Sequence, residues 1–69
     1  MFDLILKEFT KGNKVTLYFI SGKSLACEKL VDTIPELQLM LVVKEGTSFA
    51  YEYWLDISKV THFELRKTS

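Results

Sequence analysis

The sequence predicts a mostly β domain, in which an N-terminal α-helix precedes a five-stranded, strongly bent antiparallel sheet of the small-barrel type. Three observations lead to this fold class. Apolar residues recur at helical spacing only near the start, over about residues 2–11. Over about residues 14–66, apolar and polar residues alternate with the period of two that strands require. Residues typical of turns, namely Gly22, Pro35 and Gly46, interrupt that alternation at short intervals.

The predicted helix is amphipathic. Phe2, Ile5, Leu6 and Phe9 fall at positions i, i+3, i+4 and i+7, which lie on one face of an α-helix. Gly12 follows and is a suitable residue for the left-handed position that ends a helix. A helix this short is not stable alone, so its apolar face is expected to pack on the sheet.

The first two predicted strands form a hairpin. The segment KVTLYFI places Val15, Leu17 and Phe19 on one face, and a glycine turn follows it. The next segment, SLACEKLV, places Leu25 and Cys27 on its inner face. Because successive side chains of a strand point to opposite faces, these five residues are expected to line the core.

Three further strands complete the predicted sheet. Residues 32–36 are expected to break the second strand, since proline cannot donate to a central ladder. Residues 37–44 form the third strand, and its two apolar faces predict burial on both sides. The fourth strand covers residues 48–57 and the fifth begins at residue 60. Five short strands leave the fewest exposed edges as a small barrel or a strongly bent sheet.

Length and composition predict one reduced, cytoplasmic domain spanning residues 1–69. Cys27 is the sole cysteine, so the chain cannot form an internal disulfide. The sequence carries no recognisable secretory signal and no apolar run long enough for a membrane span. Nine basic and nine acidic residues cancel, which disfavours strong non-specific binding to nucleic acid. The high apolar fraction, 48%, favours self-association in so small a domain.

The sequence does not predict an enzyme, a cofactor or a metal site. It has no glycine-rich phosphate loop, and its serines lack the flanking pattern of a nucleophile. His62 is the sole histidine and has no partner at a recognisable spacing. Asp32 and Glu36 flank a proline-bearing segment, where solvation explains two carboxylates better than metal binding.

Two segments resemble the motifs of the Sm/Lsm family, and together they cover nearly the whole chain. GNKVTLYFISGKSLACEKLVDTIPELQLML resembles the first motif, and WLDISKVTHFEL resembles the second, with Val60 and Phe63 as its apolar anchors. The chain is similar to a divergent member of bacterial or phage type. The matching positions of the first motif are Gly12, Val15, Gly22, Leu25, Asp32, Leu37, Leu39 and Leu41.

The resemblance implies a ring of five to seven identical copies that binds single-stranded RNA. In such rings the fourth strand of one copy pairs with the fifth strand of the next. The implied subunit interface comprises Tyr51, Tyr53, Trp54, Val60 and Phe63. The implied RNA site lies in the two turns that face the pore, at Asp32, Thr33, Glu36, Ser58 and Lys59.

Several positions depart from the family pattern at the residues that bind bases. Cys27 falls on or beside the usual glycine of the second strand, and Glu36 replaces the usual asparagine. Asp56 and Ile57 stand where an arginine–glycine pair is usual, and the bacterial tyrosine–lysine–histidine version is also absent. A carboxylate accepts hydrogen bonds and repels phosphate.

Two alternatives to an RNA-binding ring therefore stay open. The first is a structural or protein-interaction module of Sm-like or SH3-like fold that binds no nucleic acid. The second is a monomeric SH3-like adaptor. The cluster of Tyr51, Tyr53 and Trp54 is compatible with base stacking, but packing at an interface is the simpler interpretation.

Overall fold

The computed structural model describes residues 1–46 and 51–66 of the chain. It confirms a mostly β fold with an N-terminal helix and a five-stranded antiparallel sheet. Two short 3-10 helices connect the later strands. The elements are α1 (Phe2–Thr10), β1 (Lys14–Phe19), β2 (Ser24–Ile34), a 3-10 helix (Pro35–Leu37), β3 (Leu39–Lys44), β4 (Glu52–Asp56), a second 3-10 helix (Ile57–Lys59) and β5 (Val60–Arg66).

The strands lie in the order β4-β3-β2-β1-β5. From β1 to β4, each strand pairs antiparallel with the next strand in sequence, and β5 returns to pair with β1, with Lys14 opposite Arg66. Within residues 1–46 and 51–66 the sheet does not close into a barrel, so β4 and β5 form its two edges. These edges lie at opposite ends of the strand order although only one 3-10 helix separates them in sequence.

The core lies between α1 and one face of the sheet, which is called the inner face below. Phe2 and Ile5 of the helix are buried, as the sequence predicts, and Leu6 and Phe9 pack beside them. The helix ends where expected, with Gly12 at φ +85°. The sheet contributes the buried core residues Val15, Leu17, Cys27, Met40, Val42 and Val60, and the second 3-10 helix contributes Ile57.

The second strand is longer than the sequence predicts. Asp32 and Thr33, expected in a loop, belong to β2, which runs to Ile34. The pairing register of β2 with β3 shifts twice, once near Cys27 and once near Leu30. Bulges of this kind bend a strand and let it continue in a new direction, so β2 ends only at the proline.

The third strand begins later than predicted. Pro35–Leu37 form a 3-10 helix, and Gln38 follows with φ +57°, a left-handed conformation that is unusual for a residue other than glycine. Met40 and Val42 then face the core, and the intervening Leu41 faces outward. The predicted fourth strand also included residues 48–50, which lie outside the described part of the chain.

No helix within residues 1–46 and 51–66 is long and apolar enough to span a membrane.

Candidate functional site

Both sheet edges carry exposed apolar side chains, and the exposed tyrosines and the tryptophan of the described residues lie on the β4 side. On the β4 side, Tyr51, Tyr53 and Trp54 are 55%, 40% and 47% exposed. On the β5 edge, Leu65 is 41% exposed. An edge strand presents a row of backbone hydrogen-bonding groups to a potential partner strand, and apolar side chains beside that row favour association.

The aromatic residues of β4 project from both faces of the sheet. Tyr53 lies opposite the buried Val42, so it belongs to the inner face, and Trp54 lies opposite Leu41 on the outer face. Because β4 is an edge strand, both rings remain open to solvent on one side. The structure thus locates these aromatic residues, which the sequence predicts at a subunit interface, at one edge of the sheet.

The other two predicted interface residues pack within the chain. Val60 is 9% exposed and belongs to the core, and Phe63 is half-buried against it. Val60 pairs with Phe19, and Phe63 pairs with Leu17. A charge introduced at Val60 would therefore destabilise the folded chain itself, whatever its effect on contacts between copies.

The two 3-10 helices lie side by side at one end of the sheet. The backbone N–H of Ile57 donates a hydrogen bond to the carbonyl of Gln38 at 2.7 Å, and Leu39 pairs with Asp56. The N–H of Ile20 donates to the carbonyl of Lys59 at 2.8 Å. These bonds join the β1–β2 turn and both 3-10 helices into one group of turns, called the paired turns below.

The paired turns contain three of the five residues predicted to bind RNA. Glu36, Ser58 and Lys59 are exposed on the two 3-10 helices. Asp32 and Thr33 belong instead to the end of β2, where Thr33 lies opposite the buried Met40. The structure thus places two of the five on a strand.

The charges at this end of the sheet nearly balance, with a small excess of carboxylates. Asp32, Glu36 and Asp56 contribute three carboxylates, and Lys23 and Lys59 contribute two ammonium groups. Phosphate binding normally requires several cationic side chains or converging N–H groups. The paired turns therefore offer a polar surface with weak attraction for a nucleic-acid backbone.

Asp56 organises the second 3-10 helix as its N-cap. Its carboxylate accepts hydrogen bonds from the hydroxyl and from the backbone N–H of Ser58, the latter at 3.0 Å. The hydroxyl bond from Ser58 is the main reason that the pKa of Asp56 lies below its usual value. The capped turn holds Lys59 next to the β1–β2 turn.

Acid is expected to destabilise this turn through Asp56. Since its folded-state pKa is depressed, the stabilisation is present above the unfolded-state pKa and is lost as pH falls through the folded-state value. Asp56→Asn should lower the melting temperature at pH 7, and the difference from wild type should shrink below about pH 4. Thermal melts followed by circular dichroism between pH 3 and pH 7 measure this. When Ser58 is replaced by alanine in both proteins, the difference in their melting temperatures should depend less on pH. An unchanged pH dependence would show that Ser58 does not lower the pKa of Asp56.

An open cleft of about 490 Å³ lies on the outer face of the sheet, opposite the core and near the β5 edge. Thr16 of β1 lies opposite both Ala26 of β2 and Glu64 of β5, so one row of side chains crosses the cleft. Two of these side chains are small, which leaves the space. The lining residues are Thr16, Ala26, Glu45, Glu64, Leu65 and Arg66.

Charged and aromatic side chains surround this cleft. Glu45 pairs with the guanidinium of Arg66 and lies 3.9 Å from the ammonium of Lys14. Tyr18 donates a hydrogen bond from its hydroxyl to the carboxylate of Glu64 at 2.9 Å, and this bond raises the pKa of Tyr18. Sequence reasoning missed this cleft, because it depends on small residues meeting across strands. The one available signal was the smallness of Thr16 and Ala26.

Cys27 is a core residue. Its side chain is buried, and burial raises the pKa of the thiol to about 12. The thiol stays protonated at physiological pH, and a protonated, enclosed thiol reacts slowly. The cysteine therefore has a packing role.

The reactivity of the Cys27 thiol is consequently expected to rise when the protein unfolds. A thiol-reactive disulfide reagent at pH 8 should modify the native protein at least about 100-fold more slowly than the protein in 6 M guanidinium. Absorbance of the released thiolate measures both rates. A native rate close to the denatured rate would show that the thiol is accessible in the folded chain.

Comparisons of the chain with family models, with curated proteins and with solved structures found no match. The Sm-like relationship therefore stays a prediction from the sequence motifs.

Proposed function

We propose that this chain is an Sm-like assembly module, in which the β4 edge of one copy pairs with the β5 edge of the next copy. The observation that carries the proposal is the open sheet, whose two edges bear Tyr53, Trp54 and Leu65 as exposed apolar side chains. Buried aromatic side chains of this size dominate the energetics of many interfaces.

The two edges differ from each other, and this favours a ring. Pairing of β4 with β5 is a head-to-tail contact, which leaves one free β4 and one free β5 on every finite chain of copies. Closure into a ring satisfies both ends when the rotation per copy divides a full turn. The family resemblance implies five to seven copies.

Assembly also suits the size of the chain. A domain of 69 residues buries only about 60% of the surface of its unfolded chain, so its own core stabilises it modestly. Binding of the folded form to further copies stabilises it by mass action. The proposed role is thus structural, with the assembled surface available to other partners.

The mass in solution tests the proposal. Size-exclusion chromatography with light scattering, between 1 and 200 µM, should give a mass of five or more protomers that is constant at the upper concentrations. A protomer mass of 8.0 kDa across the range would overturn the proposal and favour the monomeric adaptor.

A second candidate function is binding of single-stranded RNA at the paired turns of such an assembly. Its support is the pair of backbone hydrogen bonds that brings Gln38, Ile57 and Lys59 to one end of the sheet. The carboxylates of Glu36 and Asp56 weaken the case.

Binding of labelled oligo-U and oligo-A, measured by fluorescence anisotropy from 20 to 200 mM salt, separates the two functions. If RNA is bound at the paired turns, Lys59→Ala should weaken binding and Lys29→Ala, on a strand distant in sequence, should weaken it less. No detectable binding of either oligonucleotide at 20 mM salt would overturn the RNA-binding function and leave the assembly module as the proposed function.

A further inference from the structure

The β4 strand of one copy and the β5 strand of the next could pair in several antiparallel registers. The face of the sheet on which each side chain lies limits which registers are possible. On β4, Tyr53 and Leu55 share the inner face, because they pair with the buried Val42 and Met40. On β5, Phe63 and Leu65 pair with Leu17 and Val15, which are also buried. Residues directly opposite in an antiparallel pair share a face. If inner-face residues lie opposite inner-face residues, the permitted registers differ from one another by steps of two residues.

Charge favours one of the registers with long overlap over its two neighbours. When Glu52 of β4 lies opposite Arg66 of β5, opposite charges meet, and Asp56 lies opposite His62. A shift by two residues in one direction places Glu52 opposite Glu64. A shift in the other direction places Asp56 opposite Glu64. Like charges directly opposite each other destabilise a strand pair, so both shifted registers are disfavoured.

The selected register also pairs the apolar residues of the inner face. Tyr53 then lies opposite Leu65, and Leu55 lies opposite Phe63. Tyr53 and Leu65 are the inner-face residues that are most exposed on their respective edge strands. A copy-to-copy strand pair in this register would therefore cover both.

On the outer face, the same register brings Trp54 opposite Glu64, at the edge of the outer-face cleft. We propose that Trp54 of one copy inserts into the outer-face cleft of the next copy, between Glu64 and Arg66, as the anchor of the assembly interface. This inference rests on the proposed head-to-tail assembly and specifies its partner residues. Charge complementarity selects the register, and the position of the cleft is an independent observation.

The chemistry of the cleft suits an indole ring. The hydrogen bond from Tyr18 draws the Glu64 carboxylate toward the cross-strand row that contains Tyr18. The carboxylate therefore does not cover Thr16 and Ala26. A tryptophan on an adjacent strand reaches its diagonal neighbours as well as the residue directly opposite. There the guanidinium of Arg66 can lie over the ring face, and the carboxylates of the cleft can accept the indole N–H.

Trp54 fluorescence tests the insertion directly, because Trp54 is the sole tryptophan of the chain. On dilution of the wild-type assembly to protomers, emission should shift to longer wavelength and acrylamide quenching should increase. Ala26→Phe fills the cleft and should weaken association at least about tenfold. Ser24→Phe is the matched control, since Ser24 lies on the same strand and face outside the cleft, and it should assemble like wild type.

Disulfide trapping tests the register. A Tyr53→Cys chain mixed with a Leu65→Cys chain should give a covalent dimer on mild oxidation, because directly opposite residues lie within disulfide range. A Tyr53→Cys chain mixed with a Phe63→Cys chain, two residues out of register, should give far less, and both mixtures keep the charges of Glu52, Glu64 and Arg66.

The outcomes distinguish this inference from the proposed function. A wild-type chain that stays monomeric overturns both. An assembly whose Trp54 emission does not change on dissociation, and which tolerates Ala26→Phe, overturns the insertion alone. Equal trapping of the two cysteine pairs overturns the register. If Ala26→Phe fails to give a folded circular dichroism spectrum, the emission shift and the trapping yields of the other chains still decide.

Discussion

Ile5→Asp is expected to leave the chain unfolded, whereas Leu4→Asp is expected to leave it folded. The two residues are neighbours in α1 and are isomers, so size and composition are matched. Ile5 is 0% exposed and packs in the core, and Leu4 is 59% exposed. The comparison therefore isolates burial from helix propensity.

The expected size of the effect is comparable with the total stability of the domain. At roughly 0.05–0.15 kcal/mol per residue, a chain of this length has about 3–10 kcal/mol of unfolding free energy. Loss of the isoleucine side chain from the core costs about 2–5 kcal/mol even when alanine replaces it. An unpaired carboxylate at the same place adds the cost of burying a charge without a partner.

Circular dichroism and urea denaturation measure the result. Ile5→Asp should lack a cooperative transition at 25 °C, and Leu4→Asp should unfold within about 1 kcal/mol of wild type. Ile5→Ala, a milder variant, should retain a transition at a lower urea concentration. Wild-type stability in Ile5→Asp would mean that α1 does not cover the sheet.

Tyr53→Asp is expected to abolish assembly and leave the protomer folded. Tyr53 lies on the β4 edge, is 40% exposed in the single chain and would face Leu65 of the next copy. A carboxylate at that position would be buried against an apolar side chain on every contact of a ring. Leaving one charge unpaired at an interface typically costs 2–5 kcal/mol, which weakens association roughly 30-fold to several thousand-fold.

Light scattering at 50 µM should give the protomer mass for Tyr53→Asp. Two control variants separate the effect of the charge from that of its position. Tyr53→Phe keeps the aromatic side chain, and Ser21→Asp adds the same charge on the β1–β2 turn. Both should retain the wild-type mass. If Tyr53→Asp is folded and assembles as wild type does, the interface lies elsewhere than the β4 edge.

The periodicity of the sequence was sufficient to predict the helix and the inner face of the first hairpin. Phe2 and Ile5 are buried because helical spacing places them on one side, and Val15 and Leu17 because strand alternation does. These patterns depend only on neighbours in sequence. They carry over to the folded chain wherever the local period is regular.

The sequence predicted less well where the backbone departs from a regular period. Bulges near Leu30 carry β2 through Asp32 and Thr33, and an extra residue in one strand leaves no compositional signature. The left-handed conformation of Gln38 is likewise invisible in a residue type that seldom adopts it. The first departure changed the candidate RNA site, because Asp32 and Thr33, two of its five residues, belong to β2.

The outer-face cleft could not be predicted because it depends on register between strands. Thr16, Ala26 and Glu64 come from β1, β2 and β5, which meet only in the folded sheet. Each residue alone is an unremarkable surface position. By contrast, the aromatic residues of β4 are neighbours in sequence, so their clustering was visible at once.

The return of β5 to β1 has a consequence for how the protein is made. β1 is synthesised before all the other strands of the sheet, and its second neighbouring strand, β5, follows only after β2, β3 and β4. At translation rates on the order of 5–20 residues per second, one flank of β1 waits about 2–10 s for its partner. During that interval the nascent chain presents an unprotected strand to other nascent chains and to chaperones, so conditions that slow elongation between β1 and β5 should lower the yield of correctly folded protein.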